Sequence, residues 1–430
     1  MDNSMKYNEP ARTLDVYGEY DVIIVGGGCA GFTAAVASAR NKAKTLIIER
    51  FPYFGGTASA SLMASINGFR NQVGPDYLQT TKGIGEELIL RLKEINGLGD
   101  SSGSAYPHKR YPDTKGNLSY CYPIDTEKFK YITLKMVYEA GVNILFHTYF
   151  SDVIKEGDKV TGVIFENKSG RQTAYGKVII DASGDGDVAF RAGVPFWQIK
   201  HDEAARLNDN LMYKIAGYPT DHSSPIPGCE CNANRTTVLW GPSVEAVNST
   251  DADELTNAEI AARLAVYEDF EKKKVENPEL KEAKVIETGP LLGIRQNRFI
   301  EGVYKLTGED VIEGRQFEDS IAVAVNPIIR YYGYRRFLEH EGYDVPYRCL
   351  LPKGVSNLIV AGRCMSTDQR AYESLRAMAH ILAVGEAAGT AAALSAINNV
   401  EPKQLDIKLL QRQLIKQGAE IGQNRVKRAN

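Results

Sequence analysis

Six residues near the N-terminus, Gly26-Gly27-Gly28-Cys29-Ala30-Gly31, carry the spacing G-x-G-x-x-G. That spacing cradles a dinucleotide when a strand leads into it, a helix leaves it, and an acidic residue closes the next strand. All three conditions are met. Tyr20-Asp-Val-Ile-Ile-Val25 is a continuous β-branched run, typical of a strand buried on both faces. Phe32–Arg40 is alanine-rich and predicts a helix, and Thr45-Leu-Ile-Ile-Glu49 is a second buried strand that ends in an acid. Gly26 permits the tight turn, Gly28 lets a pyrophosphate reach the backbone, and Gly31 lets helix and strand pack closely. The helix N-terminus offers N–H donors and a positive dipole end to phosphates. Glu49 accepts from ribose hydroxyls. Cys29 and Ala30 are the small residues the turn accommodates.

The next residues narrow the choice of dinucleotide. Arg50 follows the acid, and Phe54-Gly55-Gly56-Thr57 places a second glycine pair where a loop would pass under a bound cofactor. No second G-x-G-x-x-G occurs downstream. One fingerprint near the N-terminus points to FAD rather than to a separate NAD(P) domain of the disulfide-reductase type, and no C-x-x-C redox pair is present. The cysteines are Cys29, Cys121, Cys229, Cys231, Cys349 and Cys364. They lack zinc-ligand spacing, so no metal site is expected, and they read as reduced thiols of a cytoplasmic protein.

Composition sets the outer limits. The chain has 430 residues, with 51 Lys+Arg against 54 Asp+Glu and 43% apolar residues. That balance argues against nucleic acid as the main partner and against a polyanionic substrate. A chain this apolar buries a core of its own and is not disordered. The first residues, MDNSMKYNEPARTLD, lack the apolar stretch of a signal peptide. Val22–Ala39 is uncharged over nearly the length of a membrane span, but four glycines interrupt it, so strand, turn and helix explain it better and no span is expected.

The elements that must position these residues alternate in type. Residues 1–20 read as a tail leading into the first strand. Helices are expected over 80–95, Asp125–Ala140, Ser374–Ile397 and Leu405–Gln417, and strands over Val142–Phe146, Lys159–Glu166, Gln172–Ile180 and Asn357–Gly362. Thr256-Asn-Ala-Glu259 predicts a capping box that opens a helix to about Lys274. Residues 97–123 form a long loop containing His108, and 191–250 read as irregular. The order β-α-β implies a right-handed parallel crossover. The fold class is α/β: a discontinuous, Rossmann-like, glutathione-reductase-like FAD domain with a parallel sheet, plus an α+β substrate domain. The expected division is an extension at 1–19, an FAD domain from 20–80, 124–190 and 346–400, a cap from 81–123 and 191–345, and a helical tail at 401–430.

Four blocks carry a resemblance: YDVIIVGGGCAG at 20–31, IIDASGDGDVAFRAGVP at 179–195, TGPLLGIRQNRF at 288–299, and YRCLLPKGVSNLIVAGRCMSTDQRAYESLRAMA at 347–379. From about residue 15 to 415 the chain resembles the FAD-dependent oxidoreductases related to the succinate dehydrogenase and fumarate reductase flavoproteins, some of them labelled xanthan lyases. The resemblance implies non-covalent FAD. It implies that Gly26, Gly28 and Gly31 hold the pyrophosphate, that Glu49 holds the ribose, and that Gly55, Gly56 and Thr57 run along the cofactor. Phe150 would offer backbone to the adenine, and Ala182, Ser183 and Gly184 would end a strand near the adenosine. Gly362-Arg363 stands where the superfamily has Gly-Asp. Leu375 and Arg376 would begin a helix whose N-terminus faces the flavin pyrimidine edge, where reduction develops negative charge.

Four residues and one cluster are candidates for the substrate side. Arg295 can clamp a carboxylate or brace the domains, as can Arg298 three residues on. His380, one helical turn after Arg376 and on the same face, can be an acid/base or a core histidine. Tyr347 can donate a proton or pack. The cluster Arg330-Tyr-Tyr-Gly-Tyr-Arg335 can line a pocket or lie on the surface. The expected function is hydride transfer between a small organic substrate and flavin N5. The alternative is a flavoprotein whose FAD is structural or assists a non-redox isomerisation or elimination. The electron partner is left open, and a homo-oligomer is compatible.

Overall fold

The computed structural model describes residues 6–71, 73, 78–99, 121–198, 207–217, 229–231, 236–245, 247–331 and 334–425. The strands used below are β1 (Asp15–Val25), β2 (Thr45–Ile48), β3 (Asn143–Leu145), β4 (Tyr149–Glu156), β5 (Lys159–Asn167), β6 (Gly170–Asp181), β7 (Tyr213–Ala216), β8 (Cys229–Cys231), β9 (Thr236–Leu239), β10 (Lys284–Thr288) and β11 (Leu358–Val360). The helices are α1 (Cys29–Arg40), α2 (Ile84–Glu94), α3 (Thr126–Glu139), α4 (Ala252–Glu276), α5 (Gln369–Leu375), α6 (Met378–Asn398) and α7 (Ile407–Lys416).

One sheet runs β3-β2-β1-β6-β5-β4, with β11 on the same edge of β6 as β5 but at its C-terminal end. The pairs β1–β2, β2–β3, β1–β6 and β6–β11 are parallel, and β4–β5–β6 is an antiparallel meander. Its central strands are buried on both faces. Val22, Ile24 and Ile47 face one core cluster, while Ile23, Val25, Leu46 and Ile48 face another, as the two-residue strand period requires. On the first face α1 lies against α6. A Cβ at Gly385 or Gly389 of α6 would collide with α1 backbone at Ala30 or Ala34, and Ser38 Oγ donates to the Gly389 carbonyl at 3.0 Å. Two glycines one turn apart therefore let these helices touch backbone to backbone. By length and apolarity α6 could cross a membrane, but most of it is buried in this core.

A second sheet, β8-β9-β7-β10, is antiparallel and has its own core. Leu211, Tyr213, Ile215 and Leu239 pack there against Ala258, Ala262, Val266 and Phe270 of α4.

Several sequence expectations change. The first strand starts at Asp15, because residues 15–19 extend β1 along Gln172–Tyr175 of β6. Strand β4 was not anticipated as a separate strand; its pairing with β5 creates it. Residues 191–250 contain β7, β8 and β9, whose stability comes from sheet partners rather than from local pattern. The helix expected to open at Thr256 opens at Ala252, capped by the Asp251 carboxylate, which accepts from the N–H groups of Asp253 and Glu254. The long helix expected from Ser374 is two helices: α5 ends at Leu375 with Arg376 as its C-cap, and Ala377, with ψ of 135°, breaks the run before α6 begins at Met378. The His108 loop and the tip of the Arg330–Arg335 cluster lie outside the described residues.

Candidate functional site

The glycine turn sits between the C-terminal ends of β1, β2 and β6. Gly26 has φ +97°, and a Cβ there would run into the Ala182 carbonyl at the end of β6. A Cβ at Gly31 would run into the Gly26 carbonyl. Both are glycine because protein backbone presses on them. Gly28 differs. Its φ is −65°, which any residue adopts, and a Cβ there would meet only Gly56 Cα, at 3.8 Å. Neither conformation nor packing explains glycine at that position. What remains is the approach of something outside the chain to the backbone.

The second glycine pair lies against the first. Gly55 N–H donates to the Gly27 carbonyl at 2.8 Å, and Gly28 and Gly55 form an isolated parallel bridge. Gly55 and Gly56 both have positive φ. Helix α1 begins directly after Gly28 with no side-chain cap, so its first N–H groups are left for a ligand. Glu49 closes the turn from beneath: Gly27 N–H donates to its Oε2 at 2.6 Å and Phe51 N–H to its Oε1 at 2.9 Å. Burial raises the Glu49 carboxyl, and those two bonds oppose the rise. Arg50 stacks its guanidinium on Phe51, 5.1 Å from the ring centroid. Thr148 N–H donates to the Glu49 carbonyl at 3.1 Å, which brings the start of β4, and Phe150 within it, to the same edge.

Beyond β6 the chain turns through Ala182-Ser183-Gly184. Buried Asp181 organises the turn, accepting from Ser183 N–H and Oγ and from Ala189 N–H. Arg363, next to positive-φ Gly362, fastens the turn to the segment around Ile294. Its Nε donates to the Gly184 carbonyl at 2.9 Å, its Nη2 pairs with Asp185 at 2.6 Å, and its Nη1 donates to the Ile294 carbonyl. Asp185 also accepts from Ser249 and Asn297, each at 3.3 Å. Arg298 donates to the Asp185 carbonyl, pairs with Asp187 at 3.0 Å, and stacks on Phe190. Burial and the neighbouring Asp185 and Asp181 carboxylates push Asp187 up to about 6.

Arg295 hydrogen-bonds Asn210 at 2.8 Å and stacks on Trp240, while its backbone N–H donates to Asp209. Burial pushes Asp209 up to about 6. The Tyr372 hydroxyl is buried without a hydrogen-bond partner, and Arg376, Arg363, Arg295 and Asp209 all act on it electrostatically. Arg295, Arg363 and Arg376 are thus brought to one side of the site. Arg376 closes α5, so it and Leu375 precede the uncapped N-terminus of α6 rather than begin that helix.

His380 sits in the first turn of α6, completely buried, and does not share a helical face with Arg376. Val325 N–H donates to its Nε2 at 3.1 Å, so that nitrogen is unprotonated, and its buried Nδ1 makes no hydrogen bond. Burial pushes it down to about 4, which leaves it neutral at pH 7. The Tyr347 hydroxyl donates to the Pro402 carbonyl at 3.1 Å within the core, and burial raises it. Asp185, Asp209 and Tyr372 were not singled out from the sequence. Asp185 had a usable signal: Gly184-Asp-Gly186-Asp-Val-Ala189 repeats a glycine spacing directly after a buried strand.

A family model described as FAD dependent oxidoreductase matches residues 21–228 and 198–414. The chain belongs to that family. Among curated relatives, a digeranylgeranylglycerophospholipid reductase 2 of Methanothermobacter thermautotrophicus is 27% identical over 208 residues, 47% of this chain and 48% of that protein. A tRNA uridine 5-carboxymethylaminomethyl modification enzyme MnmG 1 of Fusobacterium nucleatum is 30% identical over 226 residues, 47% of this chain and 32% of that protein. The chain spans about half or less of the length of these relatives. A geranylgeranyl bacteriochlorophyll reductase-like structure from Thermoplasma acidophilum shares the fold at 17% identity and TM-score 0.50, covering 94% of this chain and 84% of that one.

The family binds FAD, and the residues present fit it. The open space at Gly28, the paired glycine turns, the uncapped α1 and the acid at the end of β2 suit a pyrophosphate with its adenosine ribose. The chain is a flavoenzyme of the oxidoreductase class.

Proposed function

We propose that the chain transfers a hydride between a small organic substrate and flavin N5. Bound FAD supplies the two-electron chemistry. Gly26, Gly28, Gly31 and the first turn of α1 hold the pyrophosphate, Glu49 the ribose, and Gly55, Gly56 and Thr57 the stretch between. Residues 20–80, 124–190 and 346–400 form the FAD domain, with the remainder of 81–345 as the cap. The uncapped start of α6 and Arg376 favour negative charge beside them, which suits the pyrimidine edge of a reduced flavin. Arg295, on the cap side, orients the substrate. His380 acts through position rather than proton transfer, because its Nε2 lone pair is already engaged by Val325.

The observation that carries this reading is Gly28, a glycine that only an approaching ligand explains. The test is anaerobic mixing of the purified flavoprotein with hydroxy acids, sugars and aromatic compounds. Bleaching of the flavin by one of them supports hydride transfer. Product formation without bleaching favours the non-redox isomerisation or elimination instead. The expected setting is the cytoplasm, with a small-molecule substrate and an external electron partner.

A further inference from the structure

The stretch before Ile300 lies alongside α5. The Gln369 amide donates to Gln296 Oε1 at 3.4 Å, and three residues further along each stretch the Phe299 and Tyr372 rings pack edge to face at 4.8 Å. Phe299 also stacks on Trp197 at 4.2 Å. These contacts fix Gln296 and Tyr372 in place, yet neither is satisfied. Gln296 is 3% exposed and Tyr372 2%, and neither Gln296 Nε2 nor the Tyr372 hydroxyl has a hydrogen-bond partner among the described residues. Arg376, one turn after Tyr372 and bonded to its carbonyl through the backbone N–H, adds a third such atom, its buried Nε. A buried donor without an acceptor costs free energy comparable with a lost hydrogen bond. Three beside one another call for an acceptor from outside the chain.

Charge says which acceptor. Burial raises the Tyr372 hydroxyl, Arg376, Arg363 and Arg295 pull it down, and Asp209 pushes it up. Arg363 is spent on Asp185, which leaves Arg376 and Arg295 against Asp209. The nearby carboxylates are already engaged: Asp209 by the backbone N–H groups of Arg295 and Val247, and Glu373 by the Gln369 amide at 3.0 Å. We propose that the Tyr372 hydroxyl and the Gln296 amide hold the carboxylate of an organic-acid substrate, with Arg376 and Arg295 supplying the balancing charge. Two side-chain donors suit the two oxygens of a carboxylate. This names the substrate class of the hydride-transfer site proposed above and rests on that reading.

Calorimetric titration of the FAD-loaded full chain with acetate and with benzoate should show saturable binding, and benzoate should shift the visible flavin band. The neutral amides acetamide and benzamide should do neither. Tyr372→Phe removes only an unpartnered hydroxyl, so thermal unfolding should be unchanged while carboxylate binding weakens about tenfold. Gln296→Met, close in shape, should weaken it to a similar degree. Equal binding of acids and amides, no saturable binding of either acid, or binding unchanged in both variants would overturn the proposal. So would displacement of bound carboxylate when FAD is added to the apoprotein, which would give these donors to a flavin carbonyl. The spectrum of the same sample keeps the two readings apart. A coloured protein indifferent to carboxylates overturns the carboxylate site alone, and a colourless one that binds them through Tyr372 overturns the flavin reading alone.

Discussion

Arg363 and Asp185 form an ion pair, Nη2 to Oδ1 at 2.6 Å, that joins the turn after β6 to the loop after β11. Both side chains are about four-fifths buried, and Asp185 also gathers Ser249 and Asn297. Removing one partner leaves the other charge poorly compensated. Arg363→Ala should therefore cost about 2–4 kcal/mol in denaturant unfolding. In a cycle with Asp185→Ala the losses should be strongly non-additive. Additive losses would show that the pair does not couple the two loops.

Gly28 and Gly31 separate ligand contact from packing. Gly28→Ala has room for its methyl group, so stability should change by less than about 0.5 kcal/mol. FAD affinity should nevertheless fall by at least about tenfold, measured by fluorescence titration of the apoprotein. Gly31→Ala drives a methyl group into the Gly26 carbonyl and should cost about 1–3 kcal/mol before any ligand is added.

His380 gives the acid limb of stability. Its folded value is near 4 against an ordinary 6.5, so below pH 6.5 the unfolded chain takes up a proton that the folded chain refuses. This contribution is complete above pH 6.5 and is lost as pH falls through 4. At about 1.4 kcal/mol per unit it amounts to about 3 kcal/mol. His380→Asn should show a shallower fall in unfolding free energy over that window. An unchanged slope would place the titration elsewhere.

Glu386 gives the opposite sign. This buried carboxyl on α6 accepts from Ile84 N–H at 2.8 Å and so caps α2, whose own N-cap, Gly83, has no side chain. Burial raises it to about 7 from an ordinary 4.5. The folded chain binds the proton more tightly, so this contribution is present below pH 4.5 and is lost as pH rises through 7. Glu386→Gln keeps an acceptor and should flatten that loss, measured by thermal unfolding at pH 5 and pH 8. Glu386→Ala should destabilise at both by about 1–2 kcal/mol.

The parts legible in the sequence were those set by local chemistry. The strand–glycine–helix unit at 20–40 and the acid at 49 declare themselves, because backbone geometry there tolerates few residues. Buried runs such as Val178–Ile180 and Leu358–Val360 declare themselves because parallel strands are apolar on both faces. What was not legible depends on contacts distant in sequence. Arg363 finds Asp185 178 residues away, and the tautomer of His380 is set by Val325, 55 residues away. The break at Ala377 left no mark, since Ser374-Leu-Arg-Ala-Met378 has no glycine or proline. The α4 start moved because Asp251 caps as well as Thr256 would, and five residues earlier.

The central claim is that the glycine turn at 26–31 holds FAD. The direct measurement is the visible spectrum of the purified full chain, followed by release of cofactor on heating. The expected result is a flavin spectrum with one FAD per chain, all of it freed by denaturation. A colourless protein that takes up no FAD when the cofactor is supplied would contradict the account.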